Sequence, residues 1–415
     1  MASSTASRAW EHEGIRVSHG RLLVSGRDAE HLARRHLTPL YAVDLPRVGE
    51  KVRILQDALS GAGLRHVVRL ALKANREPEL MRYLTNLAPP DEPRSVGLDV
   101  CSPGEVLHAL AHGWRPHQIS YTGTNVSDRD FDVIAPLPIH INVDLLSQID
   151  RLGRRFPGRN IGLRINPRVG AQGDREEGSF YSGAKPTKFG IYREDLERAL
   201  VLVDSHGLIV DTVHLHVANC MFDDKLPAFD AALEEAAKMV RVLVERGCPI
   251  KEINVGGGLG TPALEGEKAL DLGRFAAIVK DRLGQFDVVI GVEPGEFLVN
   301  DCTVLLAEVI TVEKRLDALF VGLDVGWNVL CDRFIYGRDQ EIILCRAADA
   351  TRTNVVTISG HINEGNDLFA EDYPFPEVAE GDIVAIMAAG GYNQAQMSLH
   401  CLRPYTQSVC FWDRA

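Results

Sequence analysis

The sequence predicts an α/β fold: a closed (β/α)8 barrel of the TIM type with a second, mainly β domain. Three observations carry that reading. From Val67 the chain runs through eight short apolar stretches, most of them followed by an amphipathic one. The amphipathic stretches place apolar residues at a period near 3.6. After about Asp301 the alternation stops, and strand-like runs follow one another with little helix between them.

Taken in order, "RVSHGRLLVSG" (Arg16 to Gly26) reads as a hairpin that joins the second domain. The barrel strands read "VVRLALKAN", "SVGLDV", "QISYTG", "IHINVD", "NIGLRINP", "DTVHLHVAN", "KEINVGGG" and "DVVIGVEPG". Stretches such as "PGEVLHALAHG" and "FDAALEEAAKMVRVLVERG" supply the helices between them. An open doubly wound sheet would use the same rhythm and is the competing arrangement. "CTVLLAEVITVEKR", "ALFVGLDVG", "NVVTISG" and "GDIVAIMAAGGY" build the β domain. The expected division is a barrel over 42–300 and a β domain over 10–41 plus 301–415. Gly170 to Gly190 reads as a long polar loop, a type that is often functional.

The 415 residues, 45% of them hydrophobic, suffice for a large core and two domains. A formal net charge of -12 argues against nucleic acid or an anionic membrane as partner. The chain shows no apolar run of membrane-spanning length, and its opening lacks an apolar signal core. The 8 cysteines are scattered without C-x-x-C spacing, which points to reduced thiols and a cytoplasmic location.

In a barrel of this kind chemistry gathers where strands end. Those ends carry Lys73, Asp99, Arg164 with Asn166, His216 with Asn219, Gly256 to Gly258, and Glu293. Each has an ordinary reading when taken alone. Lys73 could snorkel from a strand end. The glycines could be a flexible turn, and Glu293 an exposed turn carboxylate. His214 and His216 share a strand face but have no obvious third ligand, so a metal site is a poor fit and a satisfied core histidine or a ring packed on a cofactor is a better one. Together the set has one economical explanation. A Schiff-base lysine, a glycine loop for a phosphate, a flat ring and a carboxylate for a pyridine nitrogen describe a pyridoxal 5'-phosphate site.

At this point the chain resembles the fold type III pyridoxal-phosphate amino-acid decarboxylases, which include the ornithine and diaminopimelate decarboxylases. The resemblance runs through "LALKANREPELMRYL", "GLDVCSPGEVLHAL", "GLRINP", "TKFGI", "HLHVAN", "INVGGGLG", "VEPGEFLV", "FVGLDVGWN", "GHINEGND" and "AAGGYNQAQ", in family order over almost the whole chain. It implies the alanine racemase/decarboxylase-like fold, a barrel plus a β domain. It also implies that Lys73 carries the cofactor, His216 stacks on its ring and Glu293 pairs with the ring nitrogen. Gly256, Gly257, Gly258 and Tyr392 would hold the phosphate, Asp99 and Arg164 would support Lys73 and His216, and Asn219 and Gly295 complete the cofactor-binding set. A head-to-tail homodimer with shared active sites is the family's usual assembly. Racemases of the same fold place an arginine at the ring nitrogen, so Glu293 favours decarboxylation.

Three departures stand out against the family pattern. The E-P-G-R motif reads "EPGE", which puts Glu296 in the arginine's place. The R-P-x-L-Y segment reads "DRFIY", so Asp332 replaces an arginine while Tyr336 is kept. The G-x-x-C segment reads "GHINEGND", and Asn363 stands where the family has a proton-donating cysteine. With Glu364 at a position that family members use for a distal amine, the first two changes point to a substrate ending in an amine or guanidine. Arg333 or Arg338 neutralising the new carboxylates is the alternative. His361 is the candidate replacement donor, with water and Lys73 as the other sources. Racemisation, decarboxylation-linked deamination and a catalytically inactive binding homologue remain alternative functions.

Overall fold

In the computed structural model, which describes residues 8–87, 95–171, 181–183 and 185–415, eight parallel strands close on themselves. They are β1 His66–Ala71, β2 Val96–Val100, β3 Ile119–Thr122, β4 His140–Val143, β5 Asn160–Asn166, β6 Ile209–His214, β7 Glu252–Asn254 and β8 Val289–Val292. Each pairs with the next, and β8 pairs back to β1 through Ile290 opposite His66 and Val292 opposite Val68. The ring is the expected barrel and excludes the open sheet. Most of the Gly170–Gly190 loop lies outside the described residues.

Local sequence accounts for the helices. Ser102 caps Pro103–Ala111 by accepting from the Glu105 backbone N–H at 3.1 Å, with proline at the first turn where no donor is needed. The 20-residue helix Leu226–Glu245 buries Leu226, Phe229, Leu233, Ala236, Ala237, Val240 and Leu243, the 3- and 4-residue spacing of one helical face. Inside the barrel, strand glycines make room for polar side chains. A Cβ on Gly291 would lie 2.4 Å from Glu252 Oε1, and one on Gly162 would lie 1.9 Å from Asn142 Oδ1.

The described residues form two compact units. One takes Lys51–Gly260 and Ala269–Phe297. The other takes the chain up to Glu50, Thr261–Lys268 and Leu298–Ala415. This differs from the expected division at 42 and 300. Strand Leu40–Asp44 is hydrogen-bonded antiparallel to Thr303–Leu306 and parallel to Gln407–Phe411, so its ladder bonds lie in the second unit's sheet. That sheet is organised by the 13-residue strand Thr303–Arg315, which pairs with Ala318–Leu323 at one end and with Ile383–Ile386 at the other. Asn354–Ser359 and Leu368–Phe375 extend it. One apolar core includes Leu305, Val321, Val356 and Phe375, and another packs Trp10, Leu22 and Val24 of the N-terminal hairpin region against Val304 and Leu306.

Candidate cofactor site and active site

Lys73 follows β1 by two residues and is half-buried. Its turn is pinned on both sides. The Ala71 N–H donates to the Pro294 carbonyl at 3.2 Å, and the Leu72 N–H to the Asp99 carbonyl at 2.9 Å. The barrel therefore fixes Lys73 between the ends of β2 and β8.

Two buried carboxyl groups stand near it with opposite character. Burial pushes Asp99 well above the ordinary carboxylate range. The negative charge of Glu293 adds to that shift, while Lys73 and Arg164 oppose it. Asp99 Oδ1 has no hydrogen-bond partner among the described residues. Burial acts on Glu293 in the same sense, but the charge and hydrogen bond of His214, with Arg69 and Lys73, outweigh it and bring the group to about 2. Glu293 Oε2 accepts from His214 Nε2 at 2.9 Å, and Oε1 accepts from Asn254 Nδ2 at 2.6 Å. The surroundings of the two acids thus drive them in opposite directions, Glu293 toward the ionised form and Asp99 toward the protonated one.

His216 lies two residues beyond β6. Its Nδ1 accepts from the Gly257 N–H at 3.1 Å, and the Tyr181 ring meets it edge-on at 4.4 Å between centroids. Burial, then the charges of Lys73 and Arg164, push the imidazole well below its ordinary value. Arg164 is buried with its guanidinium 4.4 Å from the Phe189 ring centroid. Asn166 ties down the segment that carries these rings. It donates to the Phe189 carbonyl at 2.7 Å and accepts from Ser182 Oγ at 2.7 Å.

The glycine run is a close-approach site. Gly256 and Gly258 adopt φ of +74° and +86°, and a Cβ on Gly257 would lie 2.0 Å from the Glu293 carbonyl oxygen. Only glycine allows this backbone to pass so near the strand end. Gly295 is buried, while Glu296 is half-buried with the Cys220 thiol 3.5 Å from its Oε2. Asn219 donates from its backbone N–H to the Ala171 carbonyl at 3.0 Å.

The structure therefore brings Lys73, Asp99, Arg164, His216, Gly256–Gly258 and Glu293 to one end of the barrel. Asn219, Gly295 and Glu296 belong to the same unit, while the other candidates belong to the second unit and fall into two groups. Asp332, Tyr336 and Tyr392 sit together: the tyrosine rings are 5.3 Å apart and the Asp332 N–H donates to Asn393 Oδ1 at 2.8 Å. His361, Asn363 and Glu364 lie on a turn held by Asp367, whose Oδ2 accepts from the Ile362 N–H at 2.7 Å. Asn363 and Glu364 are exposed, and His400 Nε2 lies 3.3 Å from Glu364 Oε1.

Sequence reasoning missed Asn254, the Arg69–Glu252 pair at 2.5 and 2.9 Å inside the barrel, and the part His214 plays toward Glu293. The strand glycines Gly162 and Gly291 were the available signal, since each marks a polar side chain crossing the barrel.

These features fit pyridoxal phosphate. The glycine loop packs its bare backbone against the strand ends where no Cβ fits, Glu293 is ionised and buried, and Asp99 holds a buried oxygen without a partner among the described residues. Comparison with known proteins agrees. Residues 45–300 match the family model of the pyridoxal-dependent decarboxylase, pyridoxal binding domain. The chain is 34% identical to a diaminopimelate decarboxylase of Methanothermobacter thermautotrophicus over 94% of this chain and 90% of that one. It is 28% identical to the diaminopimelate decarboxylase of Escherichia coli K12 over 83% of each. The crystal structure of the Helicobacter pylori diaminopimelate decarboxylase complexed with L-lysine superposes with a TM-score of 0.81 at 25% identity, covering 92% of this chain and 94% of that one. The chain thus belongs to the pyridoxal-dependent decarboxylase family, and it is a pyridoxal-phosphate-dependent amino-acid decarboxylase.

Proposed function

We propose that this enzyme removes the α-carboxyl group from an amino acid whose side chain ends in an amine or guanidine, with Lys73 as the cofactor lysine. The observation that carries the substrate reading is Asp332. The residue is 5% exposed, and burial alone pushes its carboxyl up to about 7. Neither neighbouring arginine neutralises it. Arg333 pairs with Asp339 and donates to the Leu368 carbonyl, and Arg338 donates to the Thr261 carbonyl. A buried carboxyl without a cation is costly, and a cationic ligand group removes the cost. Glu296, a second carboxylate where the family pattern has arginine, supports the same preference.

Pyridoxal phosphate, when bound, supplies a protonated ring that accepts the electron pair left by a departing carboxylate. The chain's own groups do the rest. Glu293 stays ionised and holds the proton on the ring nitrogen. His216 would offer a neutral ring face, and Gly256–Gly258 with Gly295 would hold the phosphate. Asp99 and Arg164 support Lys73 and His216 from the neighbouring strand ends. A proton must then reach Cα. Burial and the charge of Arg403 lower His361 to about 4, so its acid form is scarce at neutral pH. Lys73 Nζ is the donor we favour over His361 and over water at Asn363. The working unit is a cytoplasmic homodimer, as in the family's usual assembly.

The test measures carbon dioxide release from a panel of amino acids. Ornithine, lysine and arginine or their derivatives should exceed meso-diaminopimelate and glutamate by at least about tenfold in kcat/KM. Asp332→Arg should narrow that gap, and Lys73→Ala should lose both visible absorbance and turnover. A preference for a substrate ending in a carboxylate would overturn the substrate reading.

A further inference from the structure

We infer that His214 and Asn254 are positioning residues that hold Glu293 ionised and aimed, and that Asn254 fixes this carboxylate relative to the glycine loop. The inference rests on the reading that Glu293 stands at the cofactor's ring nitrogen.

The geometry leaves little freedom. Asn254, His214 and Glu293 are 0%, 2% and 6% exposed. Asn254 Oδ1 accepts from the Gly256 backbone N–H at 2.9 Å. A backbone N–H can only donate, so the orientation of this amide is set and its NH2 faces Glu293 Oε1. The Glu293 N–H donates in turn to the Gly256 carbonyl at 2.8 Å. Gly256 and Glu293 are therefore joined twice, once through main chain and once through a single buried side chain. On this reading those two points hold opposite ends of one cofactor, so Asn254 sets the span between them.

His214 fixes the other oxygen. An ionised carboxylate only accepts, so His214 Nε2 carries the proton it donates. His214 Nδ1 is buried and has no partner among the described residues. A ring protonated on Nδ1 alone would leave two acceptors facing each other at 2.9 Å, whereas the neutral Nε2–H ring and the imidazolium both donate to Glu293. The ring is thereby locked as a donor to Glu293. Hydrogen bonds to the charged form favour that form. The other charged or titratable groups acting on Glu293 are Arg69, Lys73 and Arg164 as cations, Asp99 and Glu252 as acids, and His216.

The test loads the full-length protein with pyridoxal phosphate carrying 15N at the ring, and follows the ring-nitrogen shift by NMR against pH together with the cofactor dissociation constant. Wild type should keep the ring nitrogen protonated through neutral pH. His214→Phe, which keeps a ring but loses the donor, should lose that proton at least about one pH unit earlier, a tenfold change. His214→Gln, whose amide can reach as far as Nε2, should recover most of the difference. Asn254→Ala should lower the ring-nitrogen value and also weaken cofactor binding by about tenfold, since it frees the glycine loop as well. Should His214→Phe fail to fold, Asn254→Ala and His214→Gln decide: a wild-type titration in Asn254→Ala, or a shifted one in His214→Gln, overturns the inference. A ring nitrogen unprotonated in wild type and indifferent to Glu293→Gln removes the reading of Glu293 itself. A protonated wild-type ring that depends on Glu293 but not on His214 or Asn254 removes only the positioning role.

Discussion

The backbone N–H of Gly257 donates to Nδ1 of His216 across 3.1 Å. That bond assigns the lone pair to Nδ1 and the proton to Nε2. Burial, with the charges of Lys73 and Arg164, keeps the ring neutral well below its ordinary value. The expected outcome is a single neutral tautomer, seen by 15N NMR of labelled histidine, that does not titrate between about pH 8 and about pH 6. The sign for stability follows. The unfolded chain takes up this proton first, so His216 contributes stability above about pH 6.5 that is lost as the pH falls. A His216 signal that titrates near 6.5 would show that the Gly257 bond does not hold in solution.

Gly257→Ala should damage the cofactor site more than its size suggests. The added methyl would meet the Glu293 carbonyl oxygen at 2.0 Å, and that oxygen belongs to the strand-end backbone. Forcing the two apart costs about 1–3 kcal/mol and shifts the carboxylate with it. Cofactor affinity should fall by about tenfold or more, read by visible-absorbance titration. Gly63→Ala is the control. Gly63 has φ of +70° with nothing within 4 Å of a new Cβ, so it should cost about 1 kcal/mol and leave cofactor binding intact.

How far the sequence could be read depended on whether the signal was local. The barrel strands carry unbroken apolar runs because both faces are covered, and the residues just past their ends could be placed from that alone. The strand-end positions of Lys73, His216 and Glu293 were legible for this reason. The expected boundary at 42 cuts through Leu40–Asp44, a strand that belongs to the other sheet because its partners, Thr303–Leu306 and Gln407–Phe411, lie hundreds of residues away. Asn254 and Arg69 were hidden for a different reason. A polar residue within an apolar strand gives no sign of which distant group will satisfy it. The fate of Asp332 turned on where Arg333 and Arg338 point, which spacing cannot specify.

Arg414 should prove a stability determinant of the second unit. Its guanidinium reaches Asp44 Oδ2 at 2.8 Å, Glu13 at 3.0 Å and Glu50 at 2.6 Å, and Asp44 is fully buried. Removing the cation leaves Asp44, among the described residues, with the Ser25 hydroxyl as its side-chain partner. Arg414→Ala should cost about 3–5 kcal/mol in urea unfolding, the range for breaking a buried pair from one side. Arg414→Lys should recover part of that loss. The visible spectrum of the folded, cofactor-loaded variant should match wild type.

Asp332 offers a test in which function and stability pull in opposite directions. Its carboxyl sits at about 7 in the folded chain because of burial, against about 3.9 for an exposed one. Between those values the folded protein holds more protons than the unfolded one. Stability therefore falls as the pH rises from about 4 to about 7, by on the order of 4 kcal/mol. Asp332→Asn removes the charge while keeping the shape. It should raise Tm relative to wild type at about pH 8, and the difference should vanish near pH 4. The same substitution should raise KM for an amine-ended substrate, because the ammonium loses its counter-charge, while kcat changes less. Saturating substrate should stabilise wild type more than Asp332→Asn at about pH 8, since the bound cation relieves the buried charge only where one exists. A residue that destabilises the free protein and is relieved by ligand is one kept for binding. An Asp332→Asn protein less stable than wild type at about pH 8 would show that the carboxylate already has a partner in the folded protein. An unchanged KM would show that the distal group of the substrate is recognised elsewhere.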